Sequence, residues 1–373
     1  MKMKKMVASL LVIAMMMCML FGCGNKASED GSDEKADSSS EKKTVTIGIS
    51  VRNIENPYYI QVKEGVEKFC EYMEGKNPNV KFDIQFVACD SSDEQQISDV
   101  QSIIARGGKD TLIYIDPNNA SVCSSVAKIC EDSEVYWCSV WSYADGVYPY
   151  DYNYYAFYQS PGEVDVEKTL CLDMFKTFDT PNEGNVLFIK GLEGNTASGH
   201  RYEGFVQATK ETPGIKVLDV QNGDWNPQTA QDLTNTWLNK YGAEEIDAIV
   251  CANDEMALAV VETLKAAGLN GKIKVTGFDG IGDAVSSIQA GDMYGTVGAN
   301  PYIEGGLGIA YLYNCWSGDL DLSTLEDGQR SFLTEPELIT VDTVEEFVNK
   351  EIDLDFEDYM SMIVEEIDLR NYK

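Results

Sequence analysis

The sequence predicts an α/β protein: two doubly wound, mostly parallel-sheet lobes joined by a hinge of three crossovers. Three observations carry that prediction. From Thr44 onward, short apolar runs alternate with segments of helical spacing in two successive series, and helices between strands of this length imply parallel βαβ units. Two of the apolar runs each deliver a planar polar side chain at their carboxyl end, Asn253 after Ile246–Cys251 and Asp279 after Lys274–Thr276. In open α/β sheets that edge is where ligands sit. Finally, the chain opens with an export signal, so the lobes are expected outside the cytoplasm.

The elements follow in order. Met1-Lys2-Met3-Lys4-Lys5 is a basic leader and Met6–Phe21 a short apolar stretch, below the ~20 residues that a membrane span needs. Leu20-Phe21-Gly22-Cys23 ends it as a lipobox does, so residues 1–22 are expected to be cleaved and Cys23 to be lipidated. Phe21 is bulkier than usual in such a box. Residues 24–43 are rich in Ser, Asp, Glu and Lys without apolar periodicity. They predict a disordered tether with a reach of about 25 Å.

The first lobe begins with a buried strand at Val45–Ser50, then a helix through Tyr59, Val62, Val66, Phe69 and Met73. A strand at Phe82–Ala88, a helix at Gln96–Ala105 and a strand at Thr111–Ile115, ending in Asp116-Pro117, come next. A helix at Ala120–Ile129 and a strand at Val135–Val140 complete the series. The second series has helices near Val166–Phe178, Gly199–Thr209, Thr229–Lys240 and Glu255–Ala267. They alternate with strands at Asn185–Ile189, Lys216–Val220, Ile246–Cys251 and Ile273–Thr276. The lobes are read as 44–158 plus 300–333 and 159–299 plus 334–345, with crossovers around Tyr158–Gly162, Ala299–Pro301 and Thr334–Ile339. Residues 346–373 form an acidic extension, in which Ile352–Asp368 could be a surface helix.

Composition narrows the function. Net charge is −33, and removal of residues 1–22 would take three lysines and no acid with it. Such a surface repels nucleic acid and anionic headgroups. One histidine and no CxxC pair leave no His/Cys metal cluster. Of ten cysteines, Cys18 and Cys23 belong to the leader; the other eight lie in apolar contexts and read as buried free thiols. No nucleophile elbow, phosphate loop or calcium loop is present, so no enzymatic activity, cofactor or metal is expected.

The motif order resembles the type I periplasmic-binding-protein family, in its ribose- and galactose-binding branch. The matching segments are Ile49-Ser50 with Asn56-Pro57-Tyr58-Tyr59, Arg201-Tyr202-Glu203-Gly204-Phe205, Asn253-Asp254-Glu255-Met256-Ala257-Leu258, Gly277-Phe278-Asp279-Gly280, and Thr296-Val297 with Asn300-Pro301-Tyr302. The resemblance implies a solute clasped between the lobes. Tyr58, Tyr59 and Trp225 would stack on its ring, and Asn56 is at a position that is polar in the family. Arg201 would donate to ring or hydroxyl oxygens, and Asn253 and Asp279 would hold hydroxyl pairs. Asn195 is where galactose-binding relatives place a polar contact.

Two departures stand out. Where ribose binders carry Asp-Arg, this chain reads Trp137 to Ser142, which makes Trp141 a further stacking candidate. Ala299 replaces a Gln of many relatives, with Asn300 as a neighbouring substitute. The Tyr-rich segment Tyr148–Tyr158 could form an aromatic wall or pack a hinge-side loop, and His200 is expected to face solvent. The implied partners are a small solute, a monosaccharide above all, and an ABC permease, with a monomeric receptor held to the membrane by lipid. A nucleoside or signalling sugar, reported to a sensor kinase or chemoreceptor, is the alternative.

Overall fold

The computed structural model describes residues 42–350 and 352–372. The leader, the lipobox Cys23 and nearly all of the tether lie outside the described residues.

The first sheet is built from β1 (Lys43–Val51), β2 (Val80–Ala88), β3 (Thr111–Ile115), β4 (Tyr136–Val140) and β5 (Tyr155–Ser160). All five pair in parallel in the order β5-β4-β3-β1-β2. Helices α1 (Pro57–Lys76), α2 (Asp93–Gly107) and α3 (Ala120–Ser133) form the crossover connections. β3 is buried on both faces, as its unbroken apolar run requires.

The chain then crosses to the second lobe through Pro161-Gly162 into α4 (Glu163–Phe175). There β6 (Gly184–Lys190), α5 (Thr196–Glu211), β7 (Ile215–Asn222), α6 (Pro227–Tyr241), β8 (Ala248–Cys251), α7 (Asp254–Ala266), β9 (Lys274–Thr276), α8 (Gly282–Gln289) and β10 (Gly295–Gly298) alternate as strand and helix. A second crossover at Ala299-Asn300 returns the chain to α9 (Pro301–Ser317) and β11 (Ser331–Leu333) in the first lobe. A third sends β12 (Glu337–Thr340) to the edge of the second sheet, ordered β12-β10-β9-β8-β6-β7.

Helices α1 and α9 pack at backbone contact. A side chain at Gly65 would meet the Tyr302 carbonyl at 2.1 Å, and one at Gly305 the Val62 carbonyl at 2.2 Å. This seam fixes the amino end of α1, which carries Asn56, Tyr58 and Tyr59. The eight body cysteines are all buried and free.

The acidic extension departs from the expected surface helix. After a short helix at Val344–Val348, its described residues 352–372 run as an extended strap with a 3-10 turn at Tyr359–Met362, and β13 (Glu365–Glu366) pairs antiparallel with β11. Its buried side chains, Phe356, Met362, Ile367 and Leu369, are spaced irregularly along the chain. That spacing suits a segment laid over a surface rather than a helix with one apolar face. Of the Tyr-rich segment, Tyr155 and Tyr158 lie on β5 in the first lobe's interior; the segment does not line the inter-lobe cavity.

Candidate functional site

A cavity of about 740 Å³ lies between the lobes at the carboxyl ends of both sheets. Eight of the ten residues singled out as ligand contacts line it: Asn56, Tyr58, Tyr59, Trp141, Arg201, Trp225, Asn253 and Asp279. Each reaches it for a local reason.

Asn56 is the N-cap of α1; its Oδ1 accepts from the Tyr58 amide at 2.8 Å. The Asn56 amide then donates across the cleft to Glu255 Oε2 at 2.7 Å. Asn253 caps α7 through the Met256 amide at 3.1 Å, so capping uses its oxygen and leaves its NH₂ group for the cavity. Trp141 turns into the site because its backbone is left-handed, with φ +65°. Trp225, also left-handed at φ +57°, rests on Gly191, where a Cβ would lie 2.1 Å from its ring. Any larger residue there would displace the indole.

Arg201 is 3% exposed. Its guanidinium lies 3.9 Å from the Phe278 ring centre, 4.7 Å from Trp141 and 5.5 Å from Trp225. The arginine is thus held in an aromatic box, an arrangement that favours a planar cation. Its Nη1 donates to the Ala252 carbonyl at 2.6 Å and, at a stretched 3.4 Å, to Asp279. Burial, reinforced by the like charges of Asp254 and Glu255, pushes the Asp279 carboxyl well above its usual range, and Arg201 offsets part of this.

Tyr58 and Tyr59 present faces to the cavity with their hydroxyls committed elsewhere. The Tyr58 hydroxyl accepts from Trp141 Nε1 at 2.7 Å and donates to Glu304 at 2.5 Å. The Tyr59 hydroxyl donates to Asp116 and accepts from Arg52 at 2.7 Å. Burial raises Glu304 to about 7, against the lowering effect of its bonds from Tyr58 and Thr334.

Two of the ten stand elsewhere. Asn195 caps α5 through the Ser198 amide, and its NH₂ group donates across the cleft to Ser142 Oγ at 3.1 Å and to the Asn118 and Pro117 carbonyls at 3.2 and 3.4 Å. It joins the lobes instead of lining the cavity. Asn300, with φ +48°, starts α9 at the second crossover and reaches Glu337 at 3.4 Å. It does not line the cavity either; its backbone conformation, which Asn tolerates, is what the crossover needs. His200 is also not solvent-facing: it sits beside the fully buried Glu163 at 3.4 Å and edge-on to Tyr372.

The sequence reading did not single out Arg52, Asp116, Glu255 or Glu304. Arg52 pairs with Asp116 at 3.0 Å and lies 5.3 Å from the Trp225 ring of the opposite lobe. Asp116 ends the buried strand β3 just as Asn253 and Asp279 follow theirs, so the same rule applied evenly points to it. Glu304 gives no such signal, since it is one acid on an otherwise apolar helix.

Two doubly wound lobes, three crossovers and an inter-lobe cavity of aromatic and planar polar groups define a type I solute-binding protein. The chain belongs to the periplasmic binding protein domain family, whose model matches residues 47–320. It is 29% identical to the ribose import binding protein RbsB of Bacillus subtilis (strain 168) over 282 residues, 73% of this chain and 82% of that one. A shorter stretch of 126 residues, 34% of this chain, is 37% identical to the D-allose-binding periplasmic protein of Escherichia coli (strain K12), and covers 40% of that protein's length. In three dimensions the chain matches the crystal structure of a twin-arginine translocation pathway signal protein from Burkholderia phytofirmans with a TM-score of 0.82 at 25% identity, covering 88% of this chain and 99% of that one. The family is one of extracytoplasmic binding proteins.

Proposed function

We propose that this protein is the receptor of an ABC importer for a small sugar or sugar-like polyol, held at the outer face of the cell membrane by lipid on Cys23. The lobes close on the solute by hinge motion about the three crossovers, and the closed form docks on the permease. The reading is of a binder without catalytic activity. One observation carries it. The cavity pairs flat apolar faces (Trp141, Trp225, Tyr58) with planar hydrogen-bonding groups (Arg201, Asn253, Asp279) at the carboxyl ends of both sheets.

A sugar ring presents C–H faces and a rim of hydroxyls. Aromatic surfaces cover the former and amide, acid and guanidinium groups take the latter in pairs. The volume falls within the ~300–1,000 Å³ typical of small-molecule sites. What the relatives' names say, ribose and allose binding, supports the same solute class.

A thermal-shift screen over monosaccharides, cyclitols and nucleosides tests the proposal. A true solute at a hundred times its Kd adds about 2.7 kcal/mol to the native state, a clear rise in Tm. Arg201→Ala should abolish that rise. No stabilisation by any polyol or nucleoside at 10 mM would refute the reading. Cys23→Ala should release the protein into the aqueous fraction; retention with the membrane would refute the lipid anchor.

A further inference from the structure

The second lobe's wall of the cavity carries more negative charge than its one guanidinium neutralises. Asp254 is satisfied internally, accepting from Thr296 Oγ1 at 2.6 Å and from the Ile281 amide at 3.0 Å. Glu255 and Asp279 both line the cavity.

Asp279 is 7% exposed. Its carboxylate has one hydrogen-bond partner among the described residues, Arg201 Nη1 at 3.4 Å, and that nitrogen is already engaged by the Ala252 carbonyl at 2.6 Å. The second Asp279 oxygen accepts nothing from the described residues. Among the described residues, Glu255 accepts from Asn56 through Oε2 alone. The other lining guanidinium, Arg52, is hydrogen-bonded to Asp116 and the Tyr59 hydroxyl, so it favours the charged forms of Glu255 and Asp279 from a distance without bonding to either. The rim adds Glu55, Asp90 and Asp224, all exposed. Mutual repulsion among Asp254, Glu255 and Asp279, added to burial, is what holds the Asp279 carboxyl high.

A sugar carboxylate or phosphate entering here would meet carboxylates. A neutral polyol would supply hydroxyl donors only. An ammonium supplies three donors and the missing positive charge, and its hydrogen bonds to carboxylates are the stronger charge-assisted kind. We infer that the solute is a cationic polyol, an amino sugar or aminocyclitol, whose ammonium sits between Asp279 and Glu255. The buried Nε of Arg201, which has no partner among the described residues, then donates to a ring or hydroxyl oxygen, and Trp141 and Trp225 cover the ring faces. This inference rests on the solute-receptor reading and narrows its solute class.

The test is calorimetric titration of the full mature protein with matched probes: D-glucosamine, D-galactosamine and D-mannosamine, each against its neutral parent and its N-acetyl derivative. A fourth pair is an aminocyclitol against myo-inositol. At least one amine is expected to bind tenfold or more tighter than both its neutral and acetylated counterparts. Glu255→Gln, which keeps an oxygen for Asn56, should bring that ratio to threefold or less. Neutral parents binding as well as or better than every amine would overturn the inference and leave the receptor reading intact. Failure of every probe, charged and neutral, would overturn the inference, and with no stabilisation in the thermal-shift screen either, the receptor reading too. The wild-type ratios alone decide the matter should the variant fold poorly.

Discussion

Asn195→Asp separates closure from solute contact. The asparagine does two jobs with two atoms. Its Oδ1 caps α5 through the Ser198 amide at 3.1 Å, and its NH₂ group bridges the cleft to Ser142, Asn118 and Pro117. Aspartate keeps the capping oxygen and adds a charge that suits a helix amino end. It replaces the bridging donor with an acceptor that faces two carbonyls. The NH₂ group has two hydrogens, so at most two of the three bridging contacts are fully made. At about 0.5–1.5 kcal/mol per net hydrogen bond, their loss removes roughly 1–3 kcal/mol from the closed form.

A hinge opening that parts Asn195 from Ser142 and Asn118 breaks these bonds, so under the proposed closure the loss falls on the closed form. Apparent affinity should drop by about 5- to 150-fold, since each 1.4 kcal/mol is tenfold. Titration calorimetry with the solute found by screening reads this directly, and unfolding of the solute-free protein supplies the control. The cap survives in Asn195→Asp, whereas Asn195→Ala loses it at a cost of about 1 kcal/mol. A Kd within twofold of wild type for Asn195→Asp would refute the latch.

Three further outcomes follow from the same geometry. Gly191→Ala drives a methyl into the Trp225 ring; such overpacking costs about 1–3 kcal/mol, and solute affinity by calorimetry should fall by tenfold or more if the indole covers the ring. Glu167 is fully buried and is pushed up to about 8 by burial, with only Cys171 Sγ as a weak partner at 3.5 Å. Its folded state holds a proton that the unfolded state releases from about pH 4.5 upward, so its contribution falls as pH rises to about 8, by up to about 1.4 kcal/mol per unit. Glu167→Gln should therefore gain stability over wild type between urea melts at pH 5 and pH 8; an unchanged difference would refute the assignment. Truncation after Lys350 removes the buried Phe356, Met362, Ile367 and Leu369, each worth about 1.5–3 kcal/mol when fully buried, and should lower Cm by urea melt.

Much of the fold was legible because α/β patterning is local. Thr111–Ile115, apolar from Leu112 onward, forms β3 over those same residues. Gln96–Ala105 lies within α2. The site was legible where a polar residue stands just past such a strand, as Asn253 stands two residues past the end of β8. Contacts that arise only when the lobes meet were not. Asn195 is a polar residue on a turn in sequence terms, and nothing local says that its amide will find Ser142 across the cleft. Arg52 likewise shows its meaning only once Asp116 and Trp225 are beside it. The extension was misread because its acids and scattered apolar residues permit a helix, while the position of β11, far away in sequence, selects an extended strand.

That short strand matters beyond the lobe it completes. β13 covers one rim of the first sheet, and the opposite rim, β2, interleaves Lys81 and Asp83 among its apolar residues; the outer strand β7 does the same with Lys216 and Asp219. Unpaired strand rims invite a neighbour's backbone to zip on, and caps and interspersed charges discourage it. Copies at high local concentration can therefore stay separate particles rather than knitting into fibres.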